Sequence, residues 1–228
     1  MKRSIVNEII RESDAFMRSF GFVMPPFAYL TPEALKARVA SDGAMIRDHM
    51  MGWDITDYGQ GDFDSLGLFL FTLRNGNAAN VARGMGPLYA EKLLISEENQ
   101  LSPMHHHIYK TEDIINRGGA TLVLQLYTRT EDGVLNDTAP VEVRTDGQMR
   151  TLKAGEHLAL APGESVTLEP WHWHAFWGEG GKVLIGEVSN VNDDRTDNIF
   201  HQPIGRFSQI EEDEAPLHLL VSDYDSWL

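Results

Sequence analysis

The chain has 228 residues, 42% of them hydrophobic and 23% charged, with no cysteine and a formal net charge of −15. The missing cysteines exclude disulfide scaffolds, thiolate zinc sites and thiol catalysis, so any metal must sit on His, Asp or Glu. The acid excess repels phosphate backbones and anionic lipid, which argues against a nucleic-acid or membrane partner. Acids at Glu8, Glu12 and Asp14 interrupt what would be the apolar centre of a signal peptide. No run of about 18 apolar residues is present, so a cytoplasmic location is expected.

Ile5, Ile9, Ile10, Phe16, Met17 and Phe20 recur at helical spacing with charges between them, which predicts an amphipathic helix ending near Gly21. Pro25-Pro26 stops it. Thr31, Pro32 and Glu33 form a helix start with proline at the first helical position. Residues 1–64 are therefore read as a helical segment packed on the rest. From residue 65 short β-type runs follow at 65–73, 89–96, 121–129, 141–145 and 166–169, separated by turns such as Asn75-Gly76 and Asp146-Gly147. This grammar predicts an all-β sandwich or barrel over 65–228. No composition break divides it, so a single domain is expected. The tail carries an acidic cluster at 211–214, read as solvated, and then an apolar run over 217–221.

Five of the nine histidines fall in His105-His106-His107 and His172-Trp173-His174. Residues two apart on a strand share a face, so His105 and His107 form a chelating pair with His106 turned away. Glu112 is in reach once the chain turns back, and the later segment adds another imidazole. Three imidazoles and one carboxylate suit Mn, Fe, Co, Ni or Zn.

The spacing His105-x-His107, four residues, Glu112, six residues, Gly119 resembles the first signature motif of the cupin superfamily, with Asn99 in place of its leading glycine. Gly163 and His174 lie at the separation of the second motif, which selects His174 over His172 as the ligand; His172 is held as a supporting residue or alternative ligand. His49, His106, His157, His201 and His218 are assigned to surface or packing. The resemblance implies a mainly β fold, a cupin jelly-roll barrel with the N-terminal helical layer outside it.

Further segments narrow the resemblance: residues 1–5, Pro25-Pro26-Phe27-Ala28-Tyr29, residues 112–119, residues 174–179 and residues 186–194 together resemble the bacterial D-lyxose isomerase family. That resemblance implies a homodimeric, manganese-dependent enzyme acting on aldose and ketose sugars, D-lyxose with D-xylulose and D-mannose with D-fructose. Co2+, Ni2+, Fe2+ and Zn2+ are alternative ions.

Such a reaction needs a carboxylate that is not a metal ligand to move a proton along one face of a cis-enediol. Glu187, after the β run 182–185, is the first candidate, and Asp194 the second, with Asp193 its rival. Lys92 lies in an apolar strand and must face solvent or meet a partner inside the barrel, where it would bind a sugar oxygen or stabilise negative charge. Phe176 shares the histidine face and is expected to line the sugar pocket. Arg195 is a weaker substrate-binding candidate. Trp171, Trp173 and Trp177 alternate opposite the histidines and are read as packing or dimer contacts. A cupin fold alone leaves open an Fe(II) dioxygenase and a sugar-binding protein without catalysis.

Overall fold

The computed structural model describes every residue except Asn192, which lies within the 186–194 segment. The N-terminal layer holds α1 (Arg3–Ser19), a 3-10 turn at Pro26–Tyr29, α2 (Pro32–Ser41) and α3 (Ala44–Asp48). α1 ends where the periodicity predicts, with Gly21 at φ 75° just beyond it. Thr31 caps α2 by accepting a hydrogen bond from the Ala34 amide.

The strands are β1 (Gly52–Thr56), β2 (Leu68–Arg74), β3 (Tyr89–Ser96), β4 (Ser102–His106), β5 (Glu112–Arg129), β6 (Leu135–Asn136), β7 (Val141–Thr145), β8 (Gln148–Leu152), β9 (His157–Leu160), β10 (Ser165–Leu168), β11 (Trp173–Asn190) and β12 (Ile199–Phe200). A short α4 (Ala78–Val81) separates β2 from β3, and α5 (Tyr224–Trp227) closes the chain. All pairings between named strands are antiparallel. The main path runs β1-β2-β3-β11-β5-β10-β7-β8, with β4 on β11, β12 on β4, and β6 and β9 on β5. The two 18-residue strands β5 and β11 pair along most of their length. Their two halves take different outer neighbours, β10 and β3 at one end, β9 and β4 at the other, and this rolls the sheet into a jelly-roll barrel. No helix among the described residues is long and apolar enough to cross a membrane.

Alternation along the strands builds two cores. Leu68, Leu70 and Leu94 point into the barrel with Ile114, Leu124 and Ile185, while Phe69, Phe71, Leu93 and Ile95 point out against Val6, Ile10 and Met17 of α1. Covered on both faces, β2 opens with the unbroken apolar run Leu68-Phe69-Leu70-Phe71.

Two sequence expectations change. Gly52–Thr56, within the segment read as helical, is a strand whose Trp53 and Ile55 face the helices while Asp54 and Thr56 point inward, an alternation of only four residues set in a helical stretch. The acidic cluster is also no free tail. Glu212 and Asp223 clamp the fully buried guanidinium of Arg3 at 2.6 and 2.9 Å, Asp213 accepts from the Ser4 amide and hydroxyl, and Glu214 accepts from Asn7. These carboxylates gather at the first turn of α1, where the helix dipole favours negative charge.

Candidate metal centre and its charged neighbours

His105 lies near the end of β4 and His174 opposite it near the start of β11, in register. His107 follows β4 directly, and Glu112 opens β5. The strand alternation turns His106 outward, where its ring stacks on Trp171 and meets Trp173 edge-on. The ring nitrogens of His105, His107 and His174 that could serve as ligands lie within 4.8 Å of one another. Glu112 Oε1 is 3.3 Å from Nε2 of both His107 and His174. Asn99, in the motif position that favours glycine, adopts φ 59°, a left-handed conformation that asparagine tolerates better than most residues. Gly119 sits at φ 95°, and a Cβ there would come within 2.3 Å of the Lys182 carbonyl oxygen.

The hydrogen bonds fix how these imidazoles are protonated. Nδ1 of His105, His107 and His174 lies 2.8, 2.7 and 3.0 Å from the carbonyl oxygens of Pro103, Asp197 and His172. A carbonyl only accepts, so each Nδ1 carries a hydrogen, and Nε2 is the nitrogen left to serve as a ligand. Burial pushes the His174 pKa down to about 3 and His105 well below its usual value, so both rings are neutral. Burial alone would raise Glu112, but the Lys110 ammonium holds it well below the usual carboxylate range. The Nε2 lone pair of His174 therefore faces the Glu112 carboxylate with no proton between them. His107 Nε2 and Glu112 Oε1 have no hydrogen-bond partner. A divalent cation fits this donor set, because it would satisfy both orphaned atoms at once.

Beside the histidines runs a row of alternating charge. Lys110 Nζ is 2.6 Å from Glu112 Oε2 and 3.1 Å from Glu187 Oε1. Lys92 Nζ lies 3.4 Å from Glu187 and 3.1 Å from Asp194. Arg206 spans Asp194 and Asp54 at 3.1 and 2.8 Å. Burial opposes the charge on Lys110 and Arg206, yet their acidic neighbours raise both pKa values, so the cations persist. Asp54, wholly buried, is raised by desolvation against the pull of Arg206. Tyr58 is pushed up to about 12 by burial and remains a neutral phenol bonded to Ser102.

His174 and Glu187 sit thirteen positions apart on β11, an odd separation that would send them to opposite faces of a regular strand. Irregular pairing between Glu179 and Val183 reverses the alternation. Inside positions are His174 and Phe176 before it, and Val183, Ile185 and Glu187 after it.

The structure thus brings His105, His107, His174, Glu112, Glu187, Asp194, Lys92 and Phe176 to one cavity. Arg195 is not among them: it is half-exposed, pairs with Asp225 at 3.1 Å, and lines an adjoining cavity that shares Lys92 and Asp194 with the first. His172 contributes its carbonyl oxygen to His174 while its own ring accepts from the Glu169 amide. Sequence reasoning missed Lys110, Arg206, Asp54 and Asp197. Lys110 had a signal, a lone cation between two motif ligands. Arg206 had none, since nothing in its neighbourhood repeats or alternates.

The D-lyxose isomerase family profile matches residues 1–224. A D-lyxose/D-mannose isomerase from Serratia proteamaculans is 47% identical over 227 residues, 98% of both chains. One from Escherichia coli O157:H7 is 40% identical over 228 residues, again 98% of both. Among solved structures, L-ribose isomerase of Acinetobacter sp. DL28 in complex with L-ribose superposes with a TM-score of 0.61 at 16% identity, covering 92% of this chain and 98% of that one. The Cellulomonas parahominis L-ribose isomerase with L-ribose gives 0.60 at 17% identity, with the same coverage. At such identity the structural likeness concerns the fold.

Proposed function

The chain belongs to the D-lyxose isomerase family, and from that premise we propose that it interconverts D-lyxose and D-xylulose, with D-mannose and D-fructose as a second pair. Of the three activities a cupin fold leaves open, family membership selects the sugar isomerase. His105, His107, His174 and Glu112 are the proposed ligands of one divalent cation, Mn2+ before Co2+, Ni2+, Fe2+ or Zn2+. The observation that carries this reading is the pair of partnerless buried acceptors, His107 Nε2 and Glu112 Oε1, beside a buried carboxylate outside the donor set, Glu187. When bound, the cation supplies Lewis acidity toward two adjacent sugar oxygens, which acidifies the neighbouring C–H.

The chain's own groups do the rest. Glu187 takes the proton from C2 of the aldose and returns it to C1 on the same face, through a cis-enediol. Lys110 and Lys92 hold the Glu187 carboxyl in place from either side, in a site that apolar walls shield from bulk water. Asp194, held by Lys92 and Arg206, is the second proton carrier, serving the sugar hydroxyls. Lys92 binds a sugar oxygen as negative charge develops on it. Phe176 walls the sugar pocket. Arg195, from the adjoining cavity, contacts sugar only on the outer side of Lys92 and Asp194. The proposal includes a homodimer in the cytoplasm, which sedimentation of the purified protein tests for its assembly state.

Stripped of metal and reloaded with Mn(II), the protein should convert D-lyxose to D-xylulose and incorporate one solvent deuterium at the carbon that receives the proton. Absence of turnover on any aldose with the metal site saturated would overturn the assignment.

A further inference from the structure

The segment that follows β11 makes a tight turn in which the amides of Thr196 and Asp197 both donate to the Asp193 carbonyl. This turn aims two acids in different directions. Asp194 reaches Lys92 and Arg206, while Asp197, only 6% exposed, turns to the loop that joins β4 to β5. Its Oδ1 accepts from the amides of Ile108 and Tyr109 at 2.8 and 3.1 Å, and Oδ2 accepts from Lys110 at 3.0 Å. Its carbonyl oxygen accepts the Nδ1 hydrogen of His107 at 2.7 Å. One residue thus gathers three successive amides, an arrangement that suits an anion, and also fixes the tautomer of the preceding histidine.

We propose that Asp197 is a positioning residue that clips the 107–110 loop so that His107 and the Lys110 ammonium take their places together. The inference rests on the metal reading of the site. His107 carries a ligand nitrogen, and Lys110 joins Glu112 to Glu187, so the clip governs one ligand and the environment of the proposed proton carrier. The polypeptide then passes through Asn198, whose side-chain amide donates to the Asp194 carbonyl, into β12, which pairs with His105 and His106. The turn carrying Asp194 and the strand carrying His105 are therefore tied to the same clip.

The test is Asp197→Asn, which keeps the shape but loses the charge and sets an NH2 group against backbone N–H donors. Mn(II) affinity, measured by calorimetry on the metal-stripped protein, should fall about 10- to 100-fold. At saturating Mn(II), kcat should fall more than KM rises, because Lys110 is displaced from Glu187. Hydrogen exchange at 108–110 should quicken while β3 and β5 stay protected. Thr196→Ala, in the same turn, should leave all three readouts unchanged. A folded Asp197→Asn variant with Mn(II) affinity within twofold of wild type would overturn the proposal, as would an equal loss in Thr196→Ala. If Asp197→Asn fails to fold, exchange in the wild-type protein decides: slow exchange at 108–110 supports the clip, and fast exchange overturns it. A wild type inactive on every aldose would sink the isomerase reading while the affinity comparison still judges Asp197.

Discussion

Lys92 and Glu187 stand directly opposite each other on β3 and β11, and their charged groups meet 3.4 Å apart inside the barrel. Glu187 is there sandwiched between two ammonium groups without belonging to the metal donor set. Glu187→Gln keeps the volume and removes the base. The variant should retain its metal, bind sugar, and lose kcat by at least about 100-fold, the usual range for a lost acid/base group. Metal analysis alongside kinetics checks it, and an unchanged kcat would remove Glu187 from the mechanism.

His174 and His172 give opposite expectations from neighbouring positions. His174→Ala removes an inward Nε2 and should abolish metal retention on dialysis. His172→Ala preserves the carbonyl that holds His174 and should leave most of the metal bound. The reverse result would put the ligand two residues away.

Arg206 bridges Asp54 and Asp194 at the end of the charged row. Arg206→Met would leave the wholly buried Asp54 unpaired, at a cost of roughly 3–5 kcal/mol for breaking one side of a buried pair. Urea unfolding measures that loss. Met at this site combined with Asp54→Asn should recover part of it, since the uncompensated charge is then gone.

Stability should also fall with acid through histidines held neutral by burial. His218, outside the barrel, stacks on Trp53 and bonds to the Leu30 carbonyl, and burial lowers its pKa from the usual value. Below about pH 6.5 the unfolded chain then binds more protons than the folded one, so stability declines as pH falls. The metal-free His218→Gln variant should show a shallower decline between about pH 6.5 and 5 than the metal-free parent. Parallel slopes from urea titrations would assign the acid sensitivity to other groups.

Much of the barrel was legible because its strands alternate or carry sharp turns. The runs at 89–96 and 141–145 coincide with β3 and β7. β4 was hidden by Pro103 and its histidines, which have little β signature, and β8 by its four exposed residues. The His105, His107, Glu112 and His174 positions were legible through motif spacing, and the structure gathers them at one point. Arg206 and Asp197 were not, because their partners lie far away in sequence: Asp54 is 152 positions from Arg206, and Lys110 is 87 from Asp197. Such pairings arise only from the closure of the barrel.

The reversal of alternation in β11 makes its middle segment behave like a reading frame of period two. Deleting one residue between Glu179 and Val183 would present Val188, now exposed, where Glu187 faces Lys92 and Lys110. Deleting two would return the carboxylate to the inside, but at the place Ile185 now holds, opposite Leu94 instead of Lys92. Length changes in this stretch should therefore spare the apolar faces of the barrel in even steps and invert them in odd ones, and either kind takes Glu187 away from its two lysines.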